Sequence, residues 1–335
     1  MPMSDKPTVA VTGGSGFTGG ALVKQLLADG YPVRALYRNA SKVAPAEGLT
    51  IIEGELNDDA TLAKLVEGCD TIFHIAAMYR TDGFPEEYRK INFDATMQLL
   101  AAAKKAKARR FVYTSTIGVH GSVKDTPSDE NAPFMPMDVY QESKLQAELA
   151  VREEGKKGEI ETVVIRPCGI YGPGDMRMFK IFSMLQKGIF MFVGNGRPNF
   201  HPVYIDDLVQ GIILGMIVPE ARNDVFIIGA ADYVPLREYI ATAARTIGAR
   251  PPWLKLPYGF MKLVAHGFEI VFHPLGISPP LHRRRLGFYS SNRAFSIEKA
   301  RRVLGYKPQF GLEEGFRNTV EWYYEQGLLA RKKAS

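Results

Sequence analysis

Tyr140 and Lys144 stand four residues apart, so on a helix their side chains share one face. Moving a hydride to or from a carbinol carbon requires a group that takes or returns the hydroxyl proton, and a free tyrosine, ionising near 10, is poorly matched to neutral pH. A neighbouring ammonium lowers that value. Bringing the phenol to about 7 takes roughly 4 kcal/mol of preferential phenolate stabilisation, which Lys144 and an oxidised nicotinamide ring, both cationic, could supply together. Spacing alone does not choose the pair, because Tyr258 and Lys262 repeat it. Context does: Tyr140 follows the run Phe111 to Thr116, a strand pattern ending in the hydroxyls of Thr114, Ser115 and Thr116, whereas Tyr258 follows Pro257 in an irregular stretch.

A second chemical feature lies near the N-terminus. The β-rich run Thr8–Val11 enters Thr12-Gly13-Gly14-Ser15-Gly16-Phe17-Thr18-Gly19 and then a helical pattern, the context in which a glycine motif reads as a dinucleotide site. Gly13 makes the tight turn, Gly16 lets backbone approach a pyrophosphate, and Gly19 lets helix pack on strand, with the helix N-terminus facing the anion. A free ribose 2′-hydroxyl usually meets a carboxylate about 20 residues further on. This chain has Tyr37 and Arg38 there. Arg38, helped by Arg34 or Lys42, can clamp a 2′-phosphate through charge-assisted hydrogen bonds, which favours NADP(H) over NAD(H), the alternative.

The elements that must hold these groups alternate. Thr8–Thr12, Val33–Tyr37, Ile51–Glu53, Thr71–Ile75, Phe111–Ser115 and Thr162–Ile165 read as strands, with helical patterns between them. Such βαβ alternation predicts an α/β fold, a Rossmann-type doubly wound parallel sheet covered on both faces. After Arg166-Pro167 the rhythm breaks into Gly/Pro-rich loops, and a smaller, mostly helical substrate lobe begins. Asp224–Ile228 reads as a late strand of the main sheet. The expected division is therefore 1–175 plus about 200–230 for the dinucleotide domain, and 176–199 plus 231–335 for the substrate lobe.

Composition narrows the function classes. The chain has 335 residues, 46% hydrophobic and 23% charged, the balance of an ordinary globular protein rather than a disordered or fibrous one. Its charge is +6, from 42 Lys and Arg against 36 Asp and Glu, and the basic clusters at Lys104–Arg110, His282–Arg285 and Arg331–Lys333 lack interleaved aromatics. Nucleic-acid binding is not expected. Two cysteines, Cys69 and Cys168, make neither a disulfide scaffold nor a closed zinc site, and the six histidines show no metal-ligand spacing. No signal peptide is expected at the N-terminus, and the longest uncharged apolar stretch is far shorter than the roughly 20 residues of a spanning helix. A cytoplasmic location fits best.

Taken together, these segments resemble the extended short-chain dehydrogenase/reductase superfamily over nearly the whole chain. Beyond the glycine loop, the matching residues are Gly54-Glu55-Leu56, His74-Ile75-Ala76-Ala77, Asn92, Thr116, Tyr140 with Lys144, and Arg166-Pro167 through Gly172-Pro173-Gly174-Asp175. The resemblance implies that Tyr140 is the general acid/base, that Lys144 holds the nicotinamide ribose and tunes Tyr140, and that Thr116, assisted by Ser115, hydrogen-bonds the substrate oxygen. It also implies that Glu55, Leu56, Ala76, Ala77, Pro167 and Gly169 contact the cofactor, and that Asn92 orders the helix or joins a proton relay, a structural cap being the other reading.

Nucleotide-sugar dehydratases of the superfamily carry an Asp-Glu pair where this chain has Ile117 and Gly118. Epimerases usually place an Asn and an Arg where Gly169 and Phe200 stand, although Arg197, Arg283, Arg284, Arg285 and Arg293 leave diphosphate binding open. The run Arg166–Asp175, then Gly194-Asn195-Gly196 and His201–Asp207, is similar to the 3β-hydroxysteroid dehydrogenase and dihydroflavonol reductase branch.

That branch implies an apolar substrate, and the Trp253–Phe272 stretch, dense in apolar residues, is expected to form a large apolar wall of its cavity. The spacing of Lys262, His266, Glu269 and His273 predicts an amphipathic helix over 258–273, docked on the core, or acting as a lid or a membrane-surface helix. The expected activity is interconversion of a secondary alcohol and a ketone on a bulky sterol-like or other isoprenoid molecule. A nucleotide-sugar epimerase and a non-catalytic NADP(H)-binding protein are the alternatives. A homodimer through Glu86–Lys107 and Asp138–Glu154 is expected, as is peripheral association with the inner face of a membrane.

Overall fold

A computed structural model describes residues 6–79, 84–272 and 283–331, without the side chains of 283–285. His273, His282, Lys332 and Lys333, together with residues 1–5, lie outside it.

Seven strands form a sheet: β1 (Val9–Thr12), β2 (Val33–Tyr37), β3 (Leu49–Glu53), β4 (Thr71–His74), β5 (Arg110–Thr114), β6 (Glu161–Pro167) and, after four shorter strands, β11 (Asp224–Ile228). The order is β11-β6-β5-β4-β1-β2-β3, with every neighbouring pair parallel. Every residue of β1, β4 and β5 is buried, and each strand carries consecutive apolar residues, Val9–Val11, Ile72–Phe73 and Phe111–Tyr113, rather than an alternating pattern. Successive side chains of β1 serve opposite cores: Val9 and Val11 point into one cluster and Ala10 into the other.

Helices cover both faces. In chain order they are α1 (Phe17–Ala28), α2 (Asp59–Val66), α3 (Pro85–Arg89), α4 (Ala95–Lys105), α5 (Val139–Lys156), α6 (Met176–Gln186), α7 (Ile205–Ile217), α8 (Leu236–Thr246), α9 (Tyr258–Phe272), α10 (Arg283–Ser290) and α11 (Leu312–Glu325). A π turn, Lys90–Asp94, joins α3 to α4. The four shorter strands before β11 are β7 (Gly169–Tyr171), β8 (Phe192–Val193), β9 (Asn199–Phe200) and β10 (Pro202–Tyr204), and β12 (Val234–Pro235) and β13 (Lys255–Leu256) follow it. Asp224 aligns with Val163, which brings the chain back to the main sheet after α7.

The second lobe shares its core with the first. The Phe316 ring lies 5.2 Å from Tyr171 and 4.9 Å from Tyr239, all three within the cluster that also contains Val9 and Leu22. One part stands apart: α9 buries only Ala265, against Val193 and Leu286, with Tyr258, Met261 and Tyr289 alongside.

That corrects the expectation of an apolar cavity wall from Trp253 to Phe272. Trp253 is 85% and Leu263 69% exposed, and Phe260, Ile270 and Val271 also face outward. A hydrophobic stripe on a helix marks a face to be covered but does not say by what.

Candidate active site

The glycine loop closes against the end of β4. Gly13 has φ +76°, and a Cβ there would stand 2.9 Å from the Ala76 nitrogen; one on Gly19 would stand 2.1 Å from the Gly13 carbonyl oxygen. Side chains are excluded at both points. Gly16, the N-cap of α1, offers no capping side chain, so the first-turn amides are left for an anion.

A chain of hydrogen bonds fixes the loop's depth. Thr96 gives its hydroxyl hydrogen to the Asn92 carbonyl at 2.8 Å, so it must accept from His74 Nε2–H, also at 2.8 Å. His74 Nδ1 is then the acceptor and takes the Thr12 hydroxyl hydrogen at 2.8 Å, while the Thr12 oxygen accepts from the amides of Ile75 and Ala76 at 3.2 Å each. Burial holds His74 neutral, its pKa lowered to about 3, with the Lys144 charge acting in the same direction. The ring is a rigid spacer between β1, β4 and α4.

α5 begins with a reciprocal cap. The Asp138 carboxylate accepts from Gln141 N at 2.8 Å, and the Gln141 side-chain oxygen accepts from Met137 N at 2.7 Å. Tyr140 is thereby set in the first turn, facing a cleft, with the Tyr79 ring edge-on at 4.6 Å. Lys144 follows one turn later and is 1% exposed. Its ammonium would lie 4.1 Å from the Tyr113 ring centroid.

Burial pushes the Lys144 pKa from 10.5 down to about 7, opposed by the Glu148 carboxylate. An anion bound beside Lys144 would draw the proton back onto the amine.

Asn92 takes the positioning role. Its side-chain oxygen accepts from Met78 N at 2.7 Å, and its amide donates to the Met78 carbonyl at 3.1 Å and to the Ser143 hydroxyl at 2.9 Å. It therefore pins the segment after β4 to α5 from within a π turn, a distortion frequent at functional sites.

One continuous cleft of about 1750 Å³ collects nearly all the expected residues. Gly13, Ser15, Gly16, Phe17, Thr18 and Gly19 line its middle, Arg38, Glu55 and Leu56 the part beyond β2 and β3, and Ala76, Ala77, Ser115, Thr116, Tyr140, Lys144, Pro167 and Gly169 the part beyond β4 to β6. Thr116 accepts from Gly118 N at 3.0 Å, leaving its hydroxyl hydrogen for a ligand oxygen. The far end is lined by Met137, Ile181, Phe200, Phe288 and Tyr289, and Gly169 is small because the Phe200 ring occupies the space where its Cβ would stand. From α9 only Tyr258 and Glu269 reach the cleft.

Two expectations are corrected and a third is narrowed. Lys42 is exposed and does not line the cleft, because Asn39 starts a short 3₁₀ turn, accepting from Ser41 N at 3.0 Å, that carries it away. Arg34 turns to α2, donating to the carbonyls of Lys64 and Leu65, so Arg38 has no help from it. Ser115 donates its hydroxyl to Glu148 at 2.6 Å, inside a buried cluster where Arg166 pairs with the same carboxylate and meets His120 at 2.9 Å. Its hydrogen is spent on α5, so towards a ligand in the cleft Ser115 can only accept.

The sequence reading missed Tyr79 and Arg177 as lining residues. Arg177 carried a local signal, since it follows Asp175, the α6 N-cap to which its guanidinium binds at 2.9 Å. Tyr79 carried none. Among the described residues no group of three or more His, Cys, Asp or Glu could hold a metal ion.

A profile of the NAD dependent epimerase/dehydratase family matches residues 9–229. The chain is 33% identical to a 3 beta-hydroxysteroid dehydrogenase/Delta 5→4-isomerase of Mycobacterium tuberculosis, over 94% of this chain and 90% of the relative. It is 29% identical to a decarboxylating sterol-4-alpha-carboxylate 3-dehydrogenase of Candida albicans, over 95% and 98% of the two chains. Among solved structures it resembles that of gox2253, with a TM-score of 0.81 at 26% identity, covering 97% of this chain and all (100%) of the other.

Proposed function

The chain belongs to the NAD dependent epimerase/dehydratase family of the extended short-chain dehydrogenase/reductase superfamily, and from that premise we propose an NADP(H)-dependent oxidoreductase acting on a sterol-like alcohol or ketone. It is an enzyme of the NAD(P)-dependent short-chain type. The observation that carries the reading is Tyr140 and Lys144 on one turn of α5, lining with Thr116 one cleft that also holds a glycine cradle and an apolar end. The names of the sterol-active relatives support the substrate class.

The glycine cradle, the uncapped α1 terminus and the buried Lys144 fit a dinucleotide, whose nicotinamide ring supplies the hydride acceptor or donor. The chain's own residues do the rest. Thr116 donates its hydroxyl hydrogen to the substrate oxygen and fixes its place. In the oxidative direction the Tyr140 oxygen accepts the carbinol proton; in reduction it returns one to the forming alkoxide. Lys144 in its protonated form stabilises the phenolate, and burial strengthens that interaction. Arg38, exposed at the cleft rim beyond β2, is the group proposed to meet a 2′-phosphate.

The reading extends to two surfaces. The outward apolar face of α9, flanked by exposed Lys255 and Lys262 on a chain of net charge +6, supports docking on an anionic lipid surface from which a water-insoluble substrate enters. Leu149, exposed on α5, supports a homodimer through α4 and α5.

The test is turnover of 3-hydroxysterols and their ketones by purified protein with NADP⁺ or NADPH, each compared with NAD⁺ or NADH. Activity confined to nucleotide sugars, with dinucleotide retained through the cycle, would replace this reading with the epimerase alternative.

A further inference from the structure

Lys144 is buried against a side chain that no step of the proposed reaction uses. Tyr113, on β5, is fully buried, and the Lys144 Nζ stands over its ring, 4.1 Å from the centroid. The ring is held from several sides. Tyr113 is the register partner of His74 on β4, so the two side chains share a face of the sheet, and their rings lie 5.7 Å apart. On the other side its register partner is Val164 of β6. The Tyr113 hydroxyl reaches the Lys144 carbonyl at 3.5 Å, and the ring belongs to the buried cluster of Leu99, Ala147 and Val151. It is therefore fixed under the amine.

Burial works against a charge on Lys144, and the other ionisable groups packed around it offer little in return. On α5 the Glu148 carboxylate stands one turn further on, but it accepts from Ser115 at 2.6 Å, pairs with Arg166 of β6 and lies 3.7 Å from Arg152. One carboxylate between two guanidinium groups is no net anion. His120, which meets Arg166 at 2.9 Å, has its pKa lowered by burial and by that arginine. His74 of β4 is neutral, and burial keeps the Tyr113 phenol protonated. Asn92, from the π turn, carries no charge, and Tyr140 is an anion only after it has lost its proton.

An aromatic face is the negative side of a quadrupole, and a desolvated cation within about 6 Å of its centre is stabilised without a hydrogen bond. This has a chemical advantage over a carboxylate in the same place. A carboxylate would take up the N–H donors of the ammonium, whereas a ring face leaves them available to a ligand in the cleft that Lys144 lines.

We propose that Tyr113 is a positioning residue: its ring face seats the Lys144 ammonium and keeps it charged, with its donors left to the cofactor and its field to Tyr140. The proposal rests on the oxidoreductase reading and adds to it a ring that does not itself line the cleft.

The test replaces Tyr113 by phenylalanine and then by its mono-, di- and trifluoro derivatives, which keep the shape and drain the negative charge from the ring face stepwise. In full-length protein carrying Tyr140→Phe, so that no phenolate answers the amine, isotope-labelled lysine reports the Lys144 titration by NMR, and Lys144→Met identifies its signal. The midpoint is expected to hold in Tyr113→Phe and to fall with each fluorine, by about one pH unit over the series. A midpoint that stays constant across the series, or that falls in Tyr113→Phe and no further, overturns the proposal. Tyr113→Met, which fills the core without a ring, should titrate like the trifluoro form; a midpoint like that of Tyr113→Phe would also overturn it. Thermal melting verifies that each variant is folded.

This measurement needs no turnover, so its outcome is distinct from failure of the oxidoreductase reading. The consequence for the reaction is read with Tyr140 in place. Ketone reduction by NADPH needs a protonated phenol beside a charged amine, so the alkaline decline of kcat should move to lower pH in the same order, with KM for the ketone unchanged. A shifted Lys144 titration with an unmoved kcat profile overturns the positioning role.

Discussion

In the proposed reaction a single proton passes through a single oxygen, that of Tyr140. Tyr140→Phe removes the acceptor while keeping the ring beside Tyr79, so turnover is expected to fall on the order of a thousand-fold or more with cofactor affinity nearly unchanged. Steady-state rates and fluorescence titration with NADPH check the two halves, and retained turnover would move the acid/base role elsewhere.

His74 gives a stability prediction. Its pKa is about 3 in the fold against 6.5 unperturbed, so below about 6.5 the unfolded chain binds a proton that the folded one refuses. Stability therefore falls as the pH drops through that range, by roughly 1.4 kcal/mol for each unit until the folded value is reached. Denaturant melts between pH 7 and 4 should show this slope, and His74→Gln should flatten it. Lys144 has the same sign in another window: depressed from 10.5 to about 7, it makes the fold more stable as pH rises between those values.

Much of this chemistry was legible in the sequence because it is local. Tyr140 and Lys144 share one turn, and three glycines mark one loop. The bond from Ser115 to Glu148 is not legible there, because Glu148 lies 33 residues away on another element. No spacing rule links those two positions.

At the scale of elements, burial decides what could be read. β1, β4 and β5 are covered on both faces, and their apolar runs located them to within a residue or so. α9 shows the limit of that reasoning: the spacing predicts a helix over 258–273, found at Tyr258–Phe272, but leaves open whether its stripe meets the core or faces outward. Lys42 failed for a smaller reason, a three-residue turn that redirects the chain after β2.

Two element-level outcomes follow. Gly19→Ala places a methyl 2.1 Å from the Gly13 carbonyl, so the loop or the start of α1 must shift. NADPH binding should weaken by tenfold or more in fluorescence titrations. Leu263→Asp on the outward face of α9 should reduce co-flotation with anionic phospholipid vesicles several-fold while leaving activity on detergent-dispersed sterol in place. Flotation equal to that of the unaltered protein would remove the lipid-surface reading.

Across the whole molecule, the seven-stranded sheet brings distant stretches of sequence to one edge. The glycine loop after β1, Thr116 after β5, Tyr140 at the start of α5, Gly169 after β6 and Arg293 after α10 meet in one cleft. Alternation of strand and helix made the sheet foreseeable, and with it the meeting of the first four. Arg293 depended on how the last third of the chain folds over the cleft, which local pattern does not encode. Among the described residues no helix is long and apolar enough to cross a membrane.

The most direct measurement follows the hydride itself. A 3-hydroxysterol deuterated at the carbinol carbon is incubated with the enzyme and NADP⁺, and the reduced cofactor is recovered and weighed by mass spectrometry. One deuterium is expected at the nicotinamide C4 for each ketone formed, with transfer lost in Tyr140→Phe. Ketone formation without label in the cofactor, or undiminished transfer in that variant, would contradict it.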